Sequence, residues 1–525
     1  MPSWVANETR EWWVPLGACL ALGLAVALPS TAHSAPADLY GQHCARCHGA
    51  DRLGAMGPAL LPENLGRLPP AQALRAVREG LPASQMPGFA EQLSDRQIQS
   101  LVDYIYSPLP QRPFWGLKAI AASRVQHLSP SQLVAAPVHD AAPLNLFVVV
   151  EAGDHHVAVL DGDRFEVIHR FKSRPALHGG PKFSPDGRFV YLASRDGWIA
   201  KFDLYGLALV AEIRAGINTR NLAVSNDGKL VMVGNYLPHT LVILDAESLT
   251  PVKIIAVQDK DGNSSRISAV YDAGPRSSFI AALKDLAEVW EIPYGEHPAY
   301  HGYVHDYRDE GPPTHRDRFP VRRIRLQDYL DDFFFSPDYR YVIGAARNAK
   351  QAQVVSLIVG RPIAAVDLPG LPHLGSGITW DYRGAAVLAT PNLEAPVVSV
   401  IDMQTWKVIR RIETLGPGFF MRSHEHTPFA WVDVFFGPNR DAVHLIDKET
   451  LEIVATLRPE PGKTAAHVEF TRDGRYALLS IWEMDGAIVV YDARSLQEVK
   501  RIPMKKPSGK YNVYNKITRS PGTSH

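Results

Sequence analysis

Four stretches of the chain are copies of one another, and they restrict the fold more than any other feature. Phe183-Ser184-Pro185-Asp186-Gly187-Arg188-Phe189-Val190 reappears as Phe335-Ser336-Pro337-Asp338-Tyr339-Arg340-Tyr341-Val342 and as Phe470-Thr471-Arg472-Asp473-Gly474-Arg475-Tyr476-Ala477. A fourth copy is Val224-Ser225-Asn226-Asp227-Gly228-Lys229-Leu230-Val231. Each reads as a strand, a tight turn, and a second strand. A third strand ending near Asp follows, then a fourth such as Pro251 to Ala256. Weaker copies begin near Leu144, Val270, Trp380 and Phe429. Successive starts lie about 40–50 residues apart with four strands in each interval, the pattern of β-propeller blades. Eight blades fit between residues 144 and 525, with residues 293 to 320 as an insertion.

The chain of 525 residues is too long for one ordinary core, and its first quarter carries no such repeat. Cys44-Ala45-Arg46-Cys47-His48 has the C-x-x-C-H form of covalent haem attachment. Two thiols about one helical turn apart add to the vinyl groups, and the next residue supplies an imidazole beneath the iron. Only three cysteines occur, so neither a disulfide framework nor a paired-cysteine zinc site competes with this reading. Met86, in Gln85-Met86-Pro87-Gly88-Phe89, is the expected sixth iron ligand beside His48. Helices are expected over Pro70 to Glu79 and over Ser94 to Tyr106, with Ser94 as N-cap.

An apolar run from Val14 to Leu28, followed by Ala32-His33-Ser34 before Ala35, reads as a cleaved export signal and places the protein in the periplasm. Lys+Arg and Asp+Glu both number 55, a balance that favours neither nucleic acid nor an anionic membrane as partner. No stable membrane insertion is expected. The organisation is then a signal peptide over 1–35 and an N-terminal all-α c-type cytochrome domain over 36–110. A linker over 111–143 leads to an all-β eight-bladed propeller over 144–525.

Residues three to five positions before the repeated aromatic should reach the central channel. They are His178, Arg220, Asn221, Asp331, Asp332 and His467, with His373 slightly further upstream. Several imidazoles and an arginine converging on one channel mouth suit a metal carried by an anionic, carboxylate-rich ring. Tyr511 and Tyr514 are further polar channel candidates. His297, His301, His305 and His315 read as a surface loop. His424 and His426 read equally as a turn or as distal residues, and His43, His155 and His156 as solvated positions.

A c-type cytochrome ahead of an eight-bladed propeller resembles cytochrome cd1, the haem d1-binding family that includes periplasmic nitrite reductase. Leu177-His178-Gly179, Ser194-Arg195-Asp196, Ile217-Asn218-Thr219-Arg220, Leu371-Pro372-His373 and Gly509-Lys510-Tyr511-Asn512-Val513-Tyr514-Asn515 carry the resemblance over residues 38 to 515. It implies His178 as proximal ligand of the d1 iron, Arg195 and Arg220 beside the ring carboxylates, and His373 on the distal face. Where the nitrite reductases carry the first of two distal histidines, in Leu-His-Asp-Gly-Gly, this chain has Leu330-Asp331-Asp332-Phe333-Phe334. A lone distal histidine is poorly suited to the two-proton dehydration of nitrite. His467 adds an imidazole elsewhere. The chain therefore resembles the branch that completes haem d1 by oxidising dihydro-haem d1, with the ring as substrate and haem d1 as product.

That resemblance implies a dehydrogenation of propionate to acrylate, with His373 or His467 taking a proton. Electrons would leave through haem c to an external acceptor, and a transient complex with nitrite reductase is compatible with the role. The alternatives are a nitrite reductase with an altered pocket, or a carrier that hands over finished haem d1.

Overall fold

A computed structural model describes residues 35–81, 86–111, 113–177, 179–295, 318–346, 349 and 351–523. The export signal, His178 and the His297–His315 loop lie outside the described residues. Among the described residues, no helix is long and apolar enough to cross a membrane.

The N-terminal helices are Pro36–His43 (α1), Ala45–His48 (α2), Pro62–Leu65 (α3), Pro70–Glu79 (α4) and Asp95–Ile105 (α5). The last is capped as its sequence predicts: Ser94 N–H donates to Gln97 Oε1 at 2.9 Å, and Gln97 N–H donates back to Ser94 Oγ at 3.4 Å. Its apolar stripe Ile98, Leu101, Val102 and Ile105 closes on Leu39 and Tyr40 of α1 and Val77 of α4.

Among the described residues, the strands that follow form eight sheets, one per blade. The repeated motif explains why the first two strands of a blade turn so tightly. Ser184 Oγ donates to Asp186 Oδ1 at 2.5 Å and accepts Phe189 N–H at 2.9 Å, while Asp186 Oδ1 also accepts Arg188 N–H at 3.1 Å. The same three bonds recur at Ser225-Asp227, Ser336-Asp338 and Thr471-Asp473. Short polar side chains thus satisfy turn amides that no strand can reach. A second Asp device caps the turn into the outermost strand: Asp245, Asp402, Asp447 and Asp492 each accept the N–H three residues on, at 2.7–2.9 Å.

Alternating burial is clearest on outermost strands such as Arg361–Asp367. Inner strands such as Leu146–Glu151 are buried on both faces, because each blade is packed between two others. The core is accordingly a ring of inter-blade seams, for example Phe147, Val149 and Leu160 against Leu478, Ile488 and Val490. The ring closes by a long-range pairing: Pro507–Asn512 is the innermost strand of the first blade, registered Phe147↔Asn512 and Val149↔Lys510.

The stretch 111–143, expected as linker, carries structure of its own. Helix Leu117–Ala122 (α6) buries Ile120 against the second and third blades. Val125–Gln126 then adds a fifth strand to the second blade, pairing with Glu212 and Ala211. The cytochrome domain sits on the propeller through Ala59 and Leu61 packed against Ile217 and Leu237.

Candidate active site

Residues of the C-x-x-C-H motif and of the propeller channel line one continuous cavity of about 1280 Å³. At the cytochrome end, Cys44, Cys47, His48 and Met86 lie on its wall among Leu65, Leu68, Val77 and Phe89. The break between α1 and α2 falls at Cys44, whose carbonyl accepts His48 N–H at 2.9 Å and so presents Cys44, Cys47 and His48 on one turn. His48 Nδ1–H donates to the Pro58 carbonyl at 2.8 Å, which leaves Nε2 as the lone-pair nitrogen. Burial lowers the affinity of that ring for a second proton. Gly57 leaves the room a macrocycle ligand needs: a Cβ there would stand 2.6 Å from His48 Cε1. The donor set, the free ring nitrogen and the apolar cavity fit covalent haem c.

At the propeller end the wall is cationic and aromatic. Arg195 and Arg220 are there, as the sequence predicts, together with Asn221, Asp332, His373, His467 and Tyr511. Burial pulls the Arg195 guanidinium down to about 10, and its Nη1 has no hydrogen-bond partner. Arg220 donates from Nε to the Ser268 carbonyl at 2.7 Å. Partly buried guanidinium groups, one of them with an unpartnered Nη1, fit the carboxylates of an acidic ring. Leu177 and Gly179 also line the cavity. Tyr514 is not on its wall.

The two imidazoles differ. His373 Nδ1–H donates to the Phe419 carbonyl at 2.5 Å, and its ring lies 4.5 Å from that of Phe419, so Nε2 is the basic nitrogen. Burial depresses its basicity, and the Asp332 charge opposes that. Asp332 sits against the turn after His373: a Cβ on Gly375 would be 2.0 Å from Asp332 Oδ2. His467 is 1% exposed, has φ +53 on a bulge between Ala466 and Val468, and neither ring nitrogen has a partner. A left-handed non-glycine backbone persists only when its surroundings hold it. Here Asp433 Oδ2 accepts the His467 N–H at 3.1 Å, and Lys510 Nζ donates to the His467 carbonyl. Burial, then Lys510, Arg422 and Lys516, hold this imidazole neutral.

Three site features escaped sequence reasoning. Arg422 lines the cavity, buried, its Nε without a hydrogen bond and 3.9 Å from the Glu469 carboxylate. Phe419 and Phe420 cover His373 and His467. Asp433 accepts Phe419 N–H at 2.7 Å and Phe420 N–H at 2.9 Å and so holds that cover. The signal for Arg422 was the serine after it: Ser423 Oγ donates to the Phe429 carbonyl at 2.8 Å, so Ser423 opens the turn and Phe429 begins the second strand.

Other expectations resolve differently. Asp331 does not join Asp332 on the cavity wall; it pairs with Arg67 of the cytochrome domain at 2.9 Å and with Lys284 at 2.6 Å. His424 and His426 form a turn, with Lys448 Nζ donating to the His424 carbonyl and His426 meeting the Asp473 carbonyl. His43 and His155, expected in solvent, line the cavity, and His156 pairs with Asp154 at 3.0 Å. Among the described residues no group of three or more His, Cys, Asp or Glu could hold a metal ion.

Comparison with known proteins agrees with this two-part build. The family model for the cytochrome D1 heme domain matches residues 141–516, and that for cytochrome c oxidase, cbb3-type, subunit III matches residues 31–105. The dihydro-heme d1 dehydrogenase of Pseudomonas aeruginosa is 57% identical over 507 residues, covering 96% of this chain and 99% of its own. The solved structure of dihydro-heme d1 dehydrogenase NirN in complex with DHE superposes with a TM-score of 0.78, covering 92% of this chain and 100% of that one. The nitrite reductase of Stutzerimonas stutzeri is 23% identical, covering 95% of this chain and 96% of its own. With a covalent haem c motif ahead of eight blades, the chain belongs to the cytochrome D1 heme domain family.

Proposed function

We propose that the protein is a periplasmic dihydro-haem d1 dehydrogenase, converting a ring propionate to the acrylate of haem d1. The observation that carries this is the shared cavity: haem c attachment and a cationic ring site open into one space. Two electrons and two protons leave the substrate side chain. Cys44 and Cys47 would anchor haem c, and His48 and Met86 would hold its iron; when bound, the group would supply a one-electron exit, used twice per turnover.

The chain's own residues do the rest. His178, by the resemblance to the haem d1-binding family, would supply a ligand to the substrate iron. Arg195, Arg220 and Arg422 bind ring carboxylates and fix which side chain faces His373. His373 Nε2 takes the two side-chain protons one after the other, passing the first to solvent before the second, its Nδ1–H anchored on Phe419. His467, neutral and unpartnered, donates a hydrogen bond to a ring oxygen. Phe419 and Phe420 keep water from the reacting carbon. An external acceptor would take up the two electrons one at a time. A transient complex with nitrite reductase would deliver the finished ring where it is used, placing the protein in denitrification.

Incubating the holoprotein with dihydro-haem d1 and an oxidant tests this. Loss of two hydrogens by mass, with the visible spectrum of haem d1, is expected. Recovery of unchanged substrate, or release of nitric oxide from nitrite at a nitrite reductase's rate, would overturn it.

A further inference from the structure

We infer that Arg67 and Asp331 form a latch between the two domains that sets how haem c faces the substrate cavity. Arg67 lies two residues beyond α3. Its Nη1 and Nη2 donate to the two carboxylate oxygens of Asp331 at 3.0 and 2.9 Å, Nη1 also donates to the Lys284 carbonyl at 2.7 Å, and the guanidinium covers the Tyr329 ring at 4.6 Å. Lys284 Nζ meets Asp331 Oδ1 at 2.6 Å. A second contact lies beside the first: Asn64 Nδ2 donates to the Tyr236 carbonyl at 3.1 Å, and Arg266, paired with Asp285 at 2.6 Å, donates to the Asn64 carbonyl.

The fork geometry requires arginine, and the pair is only 21% and 15% exposed, so removing one partner strands a charge in a half-dry seam. The latch also reaches the chemistry along the chain. Asp331 precedes Asp332, which packs on Gly375 beside His373, so docking of the cytochrome domain and placement of the proton acceptor share one strand entry. Arg67 and Asp331 touch neither substrate nor haem in this account; they are positioning residues for electron transfer. The inference rests on the reading that electrons pass from the bound ring to haem c.

Holoprotein mixed anaerobically with dihydro-haem d1 is followed by stopped flow at the haem c band. Ring affinity is titrated separately, and amide exchange is measured over residues 62–68 and 280–286. Arg67→Met and Asp331→Asn are expected to slow haem c reduction roughly tenfold or more, since misplacement by about 1 Å has large kinetic effects. Ring affinity and the haem c spectrum should not change, and both segments should lose exchange protection. Arg67→Lys should restore part of the rate. The double variant should be no slower than the slower single, because one contact is lost only once. Unchanged protection and rate, multiplied effects in the double variant, or a loss confined to ring affinity would each overturn the latch. If wild-type protein fails to reduce its haem c, the proposed activity falls, while exchange and double-variant coupling still decide the latch.

Discussion

His373 spends Nδ1–H on the Phe419 carbonyl, and an asparagine, whose Nδ2 sits where Nδ1 does, can donate the same bond while lacking a basic nitrogen. His373→Asn should therefore bind the ring as wild type does, yet lower the first-turnover rate by about 10²–10⁴-fold, a loss that rapid mixing would read. His373→Ala should add weaker binding, because Phe419 is then released. Asp433 offers a pH test at the same scale. Burial pushes its carboxyl up to about 6, against the amide donors of Phe420, Phe419 and His467. A carboxyl whose folded value is raised stabilises the fold below its unfolded value and loses that contribution as pH rises through the folded one. Relative to Asp433→Asn, wild-type protein should lose about 3 kcal/mol between about pH 4 and pH 6.5, measured by denaturant midpoints. A parallel pair of pH curves would show that Asp433 does not titrate in the fold.

The repeated turns show what could be read from sequence and what could not. Ser336, Asp338 and the Tyr341 amide bond to one another within six residues, so the pattern is visible without the fold. Tyr339 occupies the left-handed position that Gly187, Gly228 and Gly474 fill in the other copies, with φ 55. Its hydroxyl accepts from Arg519 Nη1 at 3.0 Å, a contact 180 residues away that no local pattern announces. In the seventh blade the sequence left His424 and His426 open between a turn and the distal face; they form the turn, while Arg422, which sequence reasoning did not single out, lines the cavity. The haem c residues were legible because their chemistry dictates adjacent positions, whereas Asp433 and Phe419 matter only through partners brought in by the propeller. A local device should behave locally. Asp338→Ala is expected to cost about 1–2 kcal/mol, the loss of two hydrogen bonds to a turn, with haem c and ring binding unchanged. A change in ring affinity would mean that the turn reaches the site.

Closure of the ring and construction of the site are one event in this molecule. Pro507–Asn512 pairs with Leu146–Glu151 to complete the first blade, and the same strand carries Lys510, which holds the strained His467, and Tyr511 on the cavity wall. Sequence separation here exceeds 350 residues, the reason no repeat pattern could predict that the first blade takes its inner strand from the other end. An open ring would expose the flank of Leu146–Glu151 and leave the Phe147 seam half covered. The cytochrome helices, by contrast, have their own core. Removing residues 507 to 525 should therefore abolish cooperative unfolding of the propeller and all ring binding, while the reduced haem c band persists. Calorimetry with parallel haem spectra measures both. A truncated protein that still unfolds in one sharp transition and binds dihydro-haem d1 would mean that seven complete blades suffice, and that His467 does not depend on Lys510 for its conformation.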